Sequence, residues 1–191
     1  MIDAAAEREA LALLDRGDRR AALVLLLDRY GVAILGYCVR VLRDDVLAQD
    51  VQQVVFLEVH RDLPTFRRES SLWTWISRIA HNRCMDAATR RRREQQRTVS
   101  IDDDDAAELP ASADPSPASS AERARWLQAL ERCLARLSEP VRATVLMKYQ
   151  LGHTFDEMSA AVGERAGTLQ VRVSRALPIL RRCLERAGVA L

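Results

Sequence analysis

Residues 100–120 cannot contribute to a hydrophobic core, and that constrains everything on either side of them. Asp102 to Asp105 run unbroken, prolines stand at 110, 115 and 117, and no basic residue occurs between Ser100 and Glu122. A stretch with neither apolar periodicity nor apolar bulk cannot bury enough surface to offset its ordering entropy, so 99–121 reads as a flexible acidic linker. The chain therefore divides into a first part, 1–98, and a second part, 122–191.

Both parts read as helical. Apolar residues recur at three- and four-residue spacing, and the few glycines and prolines punctuate them. A helix over about 4–15 ends at Arg16-Gly17-Asp18, and Asp18 can cap the next, which runs to Leu42 with Leu23, Leu26, Leu27, Tyr30, Ile34 and Tyr37 as its stripe. A helix from Val46 to Asp62 carries Val51, Val54, Val55, Leu57 and Val59, more apolar surface than one face needs, and Pro64 stops it. Ser70 or Ser71 caps a helix from Leu72 to Arg93. In the second part, Pro140 opens one helix and Thr154-Phe155-Asp156-Glu157 has the form of a capping box. Gly163 separates the short helix that follows from a last one over about 167–186, with Leu169, Val173, Ala176 and Leu180 inward. The expectation is an all-α fold of two small helical domains joined by a flexible acidic linker, the second containing a helix-turn-helix.

The four cysteines, Cys38, Cys84, Cys133 and Cys183, show no paired spacing, so the expectation is buried thiols in a reducing cytoplasm, with neither a zinc site nor a disulfide framework. No run reads as long and apolar enough to span a bilayer, and the first residues do not read as a signal peptide. No Gly-rich phosphate loop, metal-ligand spacing or nucleophile-base pair is found, so the expectation is no cofactor, no metal, no catalytic residue and no enzyme activity.

Two stretches point to nucleic acid. The helix from Leu72 carries Trp73 and Trp75 beside Arg78, His81, Asn82 and Arg83, with Arg90 to Arg93 just beyond. Rings stack on unpaired bases and guanidinium groups hold phosphates, which suits an exposed single strand. The same tryptophans also suit a helical core, with the arginines as a solvated face. The last helix, after the Gly163 turn, offers Gln170, Arg172, Ser174 and Arg175 outward, as a helix entering a major groove would. An ordinary helical hairpin has the same outline.

In this order and spacing, the segments GDRRAALVLLLDRYG, AQDVQQVVFLEVHRDLPTFR, SLWTWISRIAHNRCMDAATRRRR and LARLSEPVRATVLMKYQLGHTFDEMSAAVGERAGTLQVRVSRAL resemble the bacterial RNA polymerase sigma factors of the extracytoplasmic-function group of the sigma-70 family. The resemblance implies a region 2-like domain over 1–98 that docks on the clamp helices of the polymerase largest subunit through Asp50, Gln53 and Phe56. It implies minus-ten strand capture by Phe66, Arg67, Trp73, Arg78, Asn82 and Arg83, with Phe66 and Asn82 matching the flipped-base pocket. The region 4-like domain, 122–191, would meet the polymerase flap and read the minus-thirty-five element with Gln170, Val171, Arg172, Ser174 and Arg175. The acidic linker would thread toward the active-site cleft. An anti-sigma partner and a cytoplasmic location, without membrane insertion, are implied as well.

Five positions depart from the family pattern, among them Val171, where a small or polar residue is common, and Pro178, inside the last helix. Val54 stands where an acidic residue commonly follows the glutamine, and Glu164 and Arg165 replace an apolar residue and a serine cap. An alternative function stays open beside the sigma factor: a sigma-like or helix-turn-helix DNA-binding regulator that does not itself support initiation.

Overall fold

The computed structural model describes residues 3–97 and 117–188. Most of the expected linker, 99–116, including Asp102 to Asp105, lies outside the described residues, and the helix that follows begins at Pro117. The described residues form eight α-helices: α1 (Ala4–Asp15), α2 (Arg19–Leu42), α3 (Asp45–Asp62), α4 (Leu72–Arg97), α5 (Pro117–Ala135), α6 (Glu139–Tyr149), α7 (Phe155–Val162) and α8 (Ala166–Arg186). A 3-10 turn, Leu63–Thr65, follows α3.

Local chemistry sets the boundaries. Asp3, Asp18 and Asp44 accept backbone hydrogen bonds at the starts of α1, α2 and α3, each satisfying an amide that has no intrahelical partner. Ser71, rather than Ser70, caps α4, its Oγ accepting from Thr74 N at 3.0 Å. The Thr154–Glu157 capping box of α7 is complete in both directions. Gly163 ends α7 at φ 74°, the left-handed conformation that glycine adopts without steric cost.

In α2, the buried residues Ala22, Leu26, Tyr30, Ile34, Tyr37, Cys38 and Val41 form the stripe on which α1, α3 and α4 pack. This helix is long and apolar enough to cross a membrane by length and composition alone, contrary to the sequence expectation. Its apolarity serves a shared core: α3, α4 and α6 all lie against it. The surplus apolar surface of α3 is real, since Val54 is 42% and Leu57 68% exposed while Val51, Val55 and Val59 are buried.

The hydrophobic core does not divide with the sequence. One cluster of buried residues runs from Ala10 through Trp73 and Cys84 to Leu169 and Leu184. A buried guanidinium pins the two parts together. Arg142 on α6 donates from Nε and Nη2 to Val41 O at the end of α2, at 3.2 and 2.5 Å, and from Nη1 to Leu137 O at 3.2 Å, just past α5. These carbonyls lie at helix C-termini, where the helix dipole is negative and a cation is favoured. Burial still pushes the Arg142 pKa down to about 10, which leaves it protonated at neutral pH. Arg40–Glu131 (2.6 Å) and Arg91–Glu139 (3.0 Å) join the same two parts nearer the surface.

Two of the four cysteines depart from the expected thiols. Cys133 on α5 and Cys183 on α8 form a disulfide across 50 residues of sequence, with Cα atoms 5.7 Å apart. Helix packing closes that separation, and linear spacing carries no sign of it. Cys38 and Cys84 are buried thiols, as expected.

Candidate nucleic-acid interface

The residues named on α4 fall into two groups with opposite surroundings. Trp73, Ser77 and His81 are spaced to share one side of the helix, and the second part of the chain covers that side. Trp73 is 1% exposed; its indole Nε1 donates to Leu151 O at 3.0 Å, and its ring lies 4.9 Å from Tyr30 and 5.9 Å from His153. In this arrangement Trp73 has no face open to a base. His81 Nδ1 sits 3.0 Å from the Tyr37 hydroxyl, and burial pushes the His81 pKa down to about 4, with Glu164 and Arg172 of the second part acting on it in opposite senses. Tyr37 is buried and its pKa is raised, so its hydroxyl stays protonated.

The other group is open. Arg78 and Asn82 are exposed one turn apart, and Trp75, itself buried at 8% exposure, precedes them on the same side. Phe66, half-buried in the loop before α4, stands with its ring 5.2 Å from that of Trp75. Arg67 beside it is exposed. Aromatic edge, amide and guanidinium are thus present on one side, the chemistry an unpaired base and its phosphate require. Arg83 is committed elsewhere: it pairs with Glu58 at 2.6 Å and with Asp86 at 3.1 Å. In the arginine block, Arg91 pairs with Glu139, while Arg90, Arg92 and Arg93 face solvent.

On α3, Asp50 and Gln53 are exposed, whereas Phe56 is 7% exposed and packs in the core. Val46, Val54 and Leu57 extend the Asp50–Gln53 surface as exposed apolar residues at helical spacing. Leu57 and Val54 belong to the excess of apolar positions already visible in the sequence of α3, whereas Val46 at its start was not singled out there.

The turn between α7 and α8 has the expected form. Gln170, Val171, Ser174 and Arg175 are exposed along α8, while Leu169, Val173, Ala176 and Leu180 are buried. Ser174 also stands at the rim of an apolar groove of about 880 Å³ lined by Leu130, Leu134, Tyr149, Leu177 and Pro178. Arg165, at the N-cap of α8, supplies no side-chain hydrogen bond. Arg172 turns toward its own domain and holds Glu164 with two hydrogen bonds, at 2.9 and 2.5 Å. That pairing keeps the Glu164 carboxyl below the ordinary glutamate range.

The geometry agrees with what the chain is similar to. The sigma-70 region 2 family matches residues 26–94, from α2 to α4, and the sigma-70 region 4 family matches residues 127–178, from α5 to α8. The ECF RNA polymerase sigma factor SigK of Mycobacterium tuberculosis is 30% identical over 91% of this chain and 92% of its own length. RNA polymerase sigma-H factor of Pseudomonas aeruginosa is 28% identical over 94% of each. Among solved structures, the fold matches the sigma factor RpoE of Bartonella quintana, determined with the anti-sigma factor NepR, with a TM-score of 0.69 over 88% of this chain and 97% of that one at 23% identity. It also matches CnrH, determined with the cytosolic domain of CnrY, with a TM-score of 0.64 over 95% and 98% of the two chains at 20% identity. Two sigma-70 regions in their proper order, on helices that carry the exposed faces described above, make this chain a member of the extracytoplasmic-function group of the sigma-70 family.

Proposed function

We propose that this chain is a sigma subunit that binds core RNA polymerase, directs it to a specific set of promoters and promotes DNA opening there. The division of labour assigns residues 1–98 to polymerase docking and minus-ten capture, and 122–191 to the minus-thirty-five element. The reading rests above all on the exposed face of α8, where Gln170, Val171, Ser174 and Arg175 project together beyond a capped helix and a glycine turn. Polar side chains there can read base edges, and Val171 can meet a thymine methyl group. Docking is assigned to the Asp50, Gln53, Val54 and Leu57 face, with apolar contact replacing the charge absent at Val54. Phe56 is assigned the task of bracing that face from beneath. Phe66, Arg67, Arg78 and Asn82 form the minus-ten surface; Trp73 joins it only if α4 parts from α6 and α7.

An anti-sigma partner belongs to the proposal, on the strength of the two structural relatives determined with such partners. A cytoplasmic location follows from the role, since polymerase and promoter are there. The test is reconstituted transcription with core polymerase on a pool of genomic promoter fragments. Specific starts that require this protein support a sigma factor. Core binding without starts would instead favour a sigma-like regulator, and absence of core binding would remove the docking assignment.

A further inference from the structure

Arg172 and Glu164 occupy positions where the sequence invites opposite conclusions. The arginine lies on the helix expected to read DNA, and the glutamate looks like a defect in that helix's start. The structure joins them. Arg172 Nη1 and Nη2 donate to the two carboxylate oxygens of Glu164 at 2.9 and 2.5 Å, and Nη1 also donates to Thr144 Oγ1 at 3.2 Å. Thr144 is 2% exposed on α6, and its hydroxyl is itself held by Pro140 O at 2.7 Å. One guanidinium thus ties together three elements: α6, the turn before α8, and α8 itself. Two parallel hydrogen bonds from a planar fork fix orientation as well as distance, which a single contact does not.

We propose that Arg172 is a positioning residue that sets the seat of α8 through Glu164 and Thr144, leaving Gln170, Val171, Ser174 and Arg175 to contact the duplex. The inference rests on the reading of α8 as the duplex-reading helix. It also gives Glu164 a task. The start of α8 lacks a side-chain cap because Arg165 makes no capping bond, and the Glu164–Arg172 pair restrains that turn by another route. A carboxylate just before a helix N-terminus is also favoured by the helix dipole.

The experiment measures binding of the full chain to duplexes that the wild-type chain enriches from a random library, as a function of salt. Arg172→Lys is the decisive variant, because lysine keeps a phosphate-binding charge but not the fork. The expected result is that Arg172→Lys and Arg172→Ala both weaken binding by about tenfold, with the slope of log affinity against log salt unchanged. Thr144→Val, whose site is buried away from any duplex, should weaken binding in the same direction by a few-fold. Thermal melting of each variant separates these effects from loss of folding. The inference is overturned if Arg172→Lys binds like the wild type while Arg172→Ala reduces the salt slope by about one, the signature of a lost phosphate contact. If the wild-type chain enriches no duplex at all, the reading of α8 fails first, and this role fails with it.

Discussion

Helices α4 and α8 both carry residues suited to nucleic acid, and the fold treats them oppositely. On α8 most of the polar face is in solvent and the apolar face is in the core, as an amphipathic helix should arrange itself. On α4 both sides of the first turns are covered: Leu72, Trp73, Trp75, Ile76 and Ser77 are all buried. One side meets α2 and α3, and the other meets α6 and α7. Aromatic side chains supply large apolar area whether they stack on bases or on a neighbouring helix. Trp73 therefore reads identically in sequence under either role, whereas Arg78 and Asn82 favour water under both. The contrast also identifies what must change before α4 can present Trp73. The Trp73–Leu151 and Arg142–Val41 hydrogen bonds would have to break, with the Arg40–Glu131 and Arg91–Glu139 pairs.

The sharpest way to break this comparison is Trp73→Ala. Loss of a fully buried indole should lower stability by about 3–5 kcal/mol, whereas Arg78→Ala should stay within about 0.5 kcal/mol of wild type and weaken capture of single-stranded minus-ten DNA. Denaturant unfolding of the two variants decides it; equal stabilities would mean that Trp73 is not packed as described. Next in size is Arg142→Met, which leaves the Val41 and Leu137 carbonyls without their buried donor and should cost about 3 kcal/mol. If the two parts are held together as the structure has them, small-angle scattering of this variant should also show a larger radius of gyration than wild type.

The third prediction concerns pH. Burial depresses the folded-state pKa of His81 from 6.5 to about 4, so the unfolded chain takes up the proton first. Stability from this residue is complete above about 6.5 and is lost as pH falls toward 4, by up to about 3 kcal/mol. His81→Gln, which cannot titrate, should flatten the stability profile over that window relative to wild type. An unchanged profile would show His81 to be solvated. The smallest effect is at the start of α8: Arg165→Ser should supply the missing cap and raise stability by about 1 kcal/mol, visible as a higher melting temperature. No change there would mean that the Glu164–Arg172 pair already satisfies the turn.

Much of this protein was legible in order along the chain. Helix ends follow from Asp18, Pro64, the Thr154–Glu157 box and Gly163, because capping and chain reversal act within a few residues of each other. The inward stripe of α8 and the surplus apolar surface of α3 follow from periodicity alone. The sigma-70 family itself was legible, because its segments keep their order and spacing. What lay beyond reach depends on residues distant in sequence. The Cys133–Cys183 bond needs α5 and α8 to be side by side, and the covering of Trp73 needs α7 to lie on α4. The turning of Arg172 toward its own domain, away from the exposed face of α8, needs Thr144 on α6 and Glu164 in the turn at the same point in space. Sequence by itself determined where the helices begin, end and carry their apolar faces, since those depend on local hydrogen bonds and on spacing. Tertiary structure alone decided which of two suitable partners Trp73 and Arg172 took, since an indole packs on a helix or a base and a guanidinium pairs with a carboxylate or a phosphate by the same chemistry.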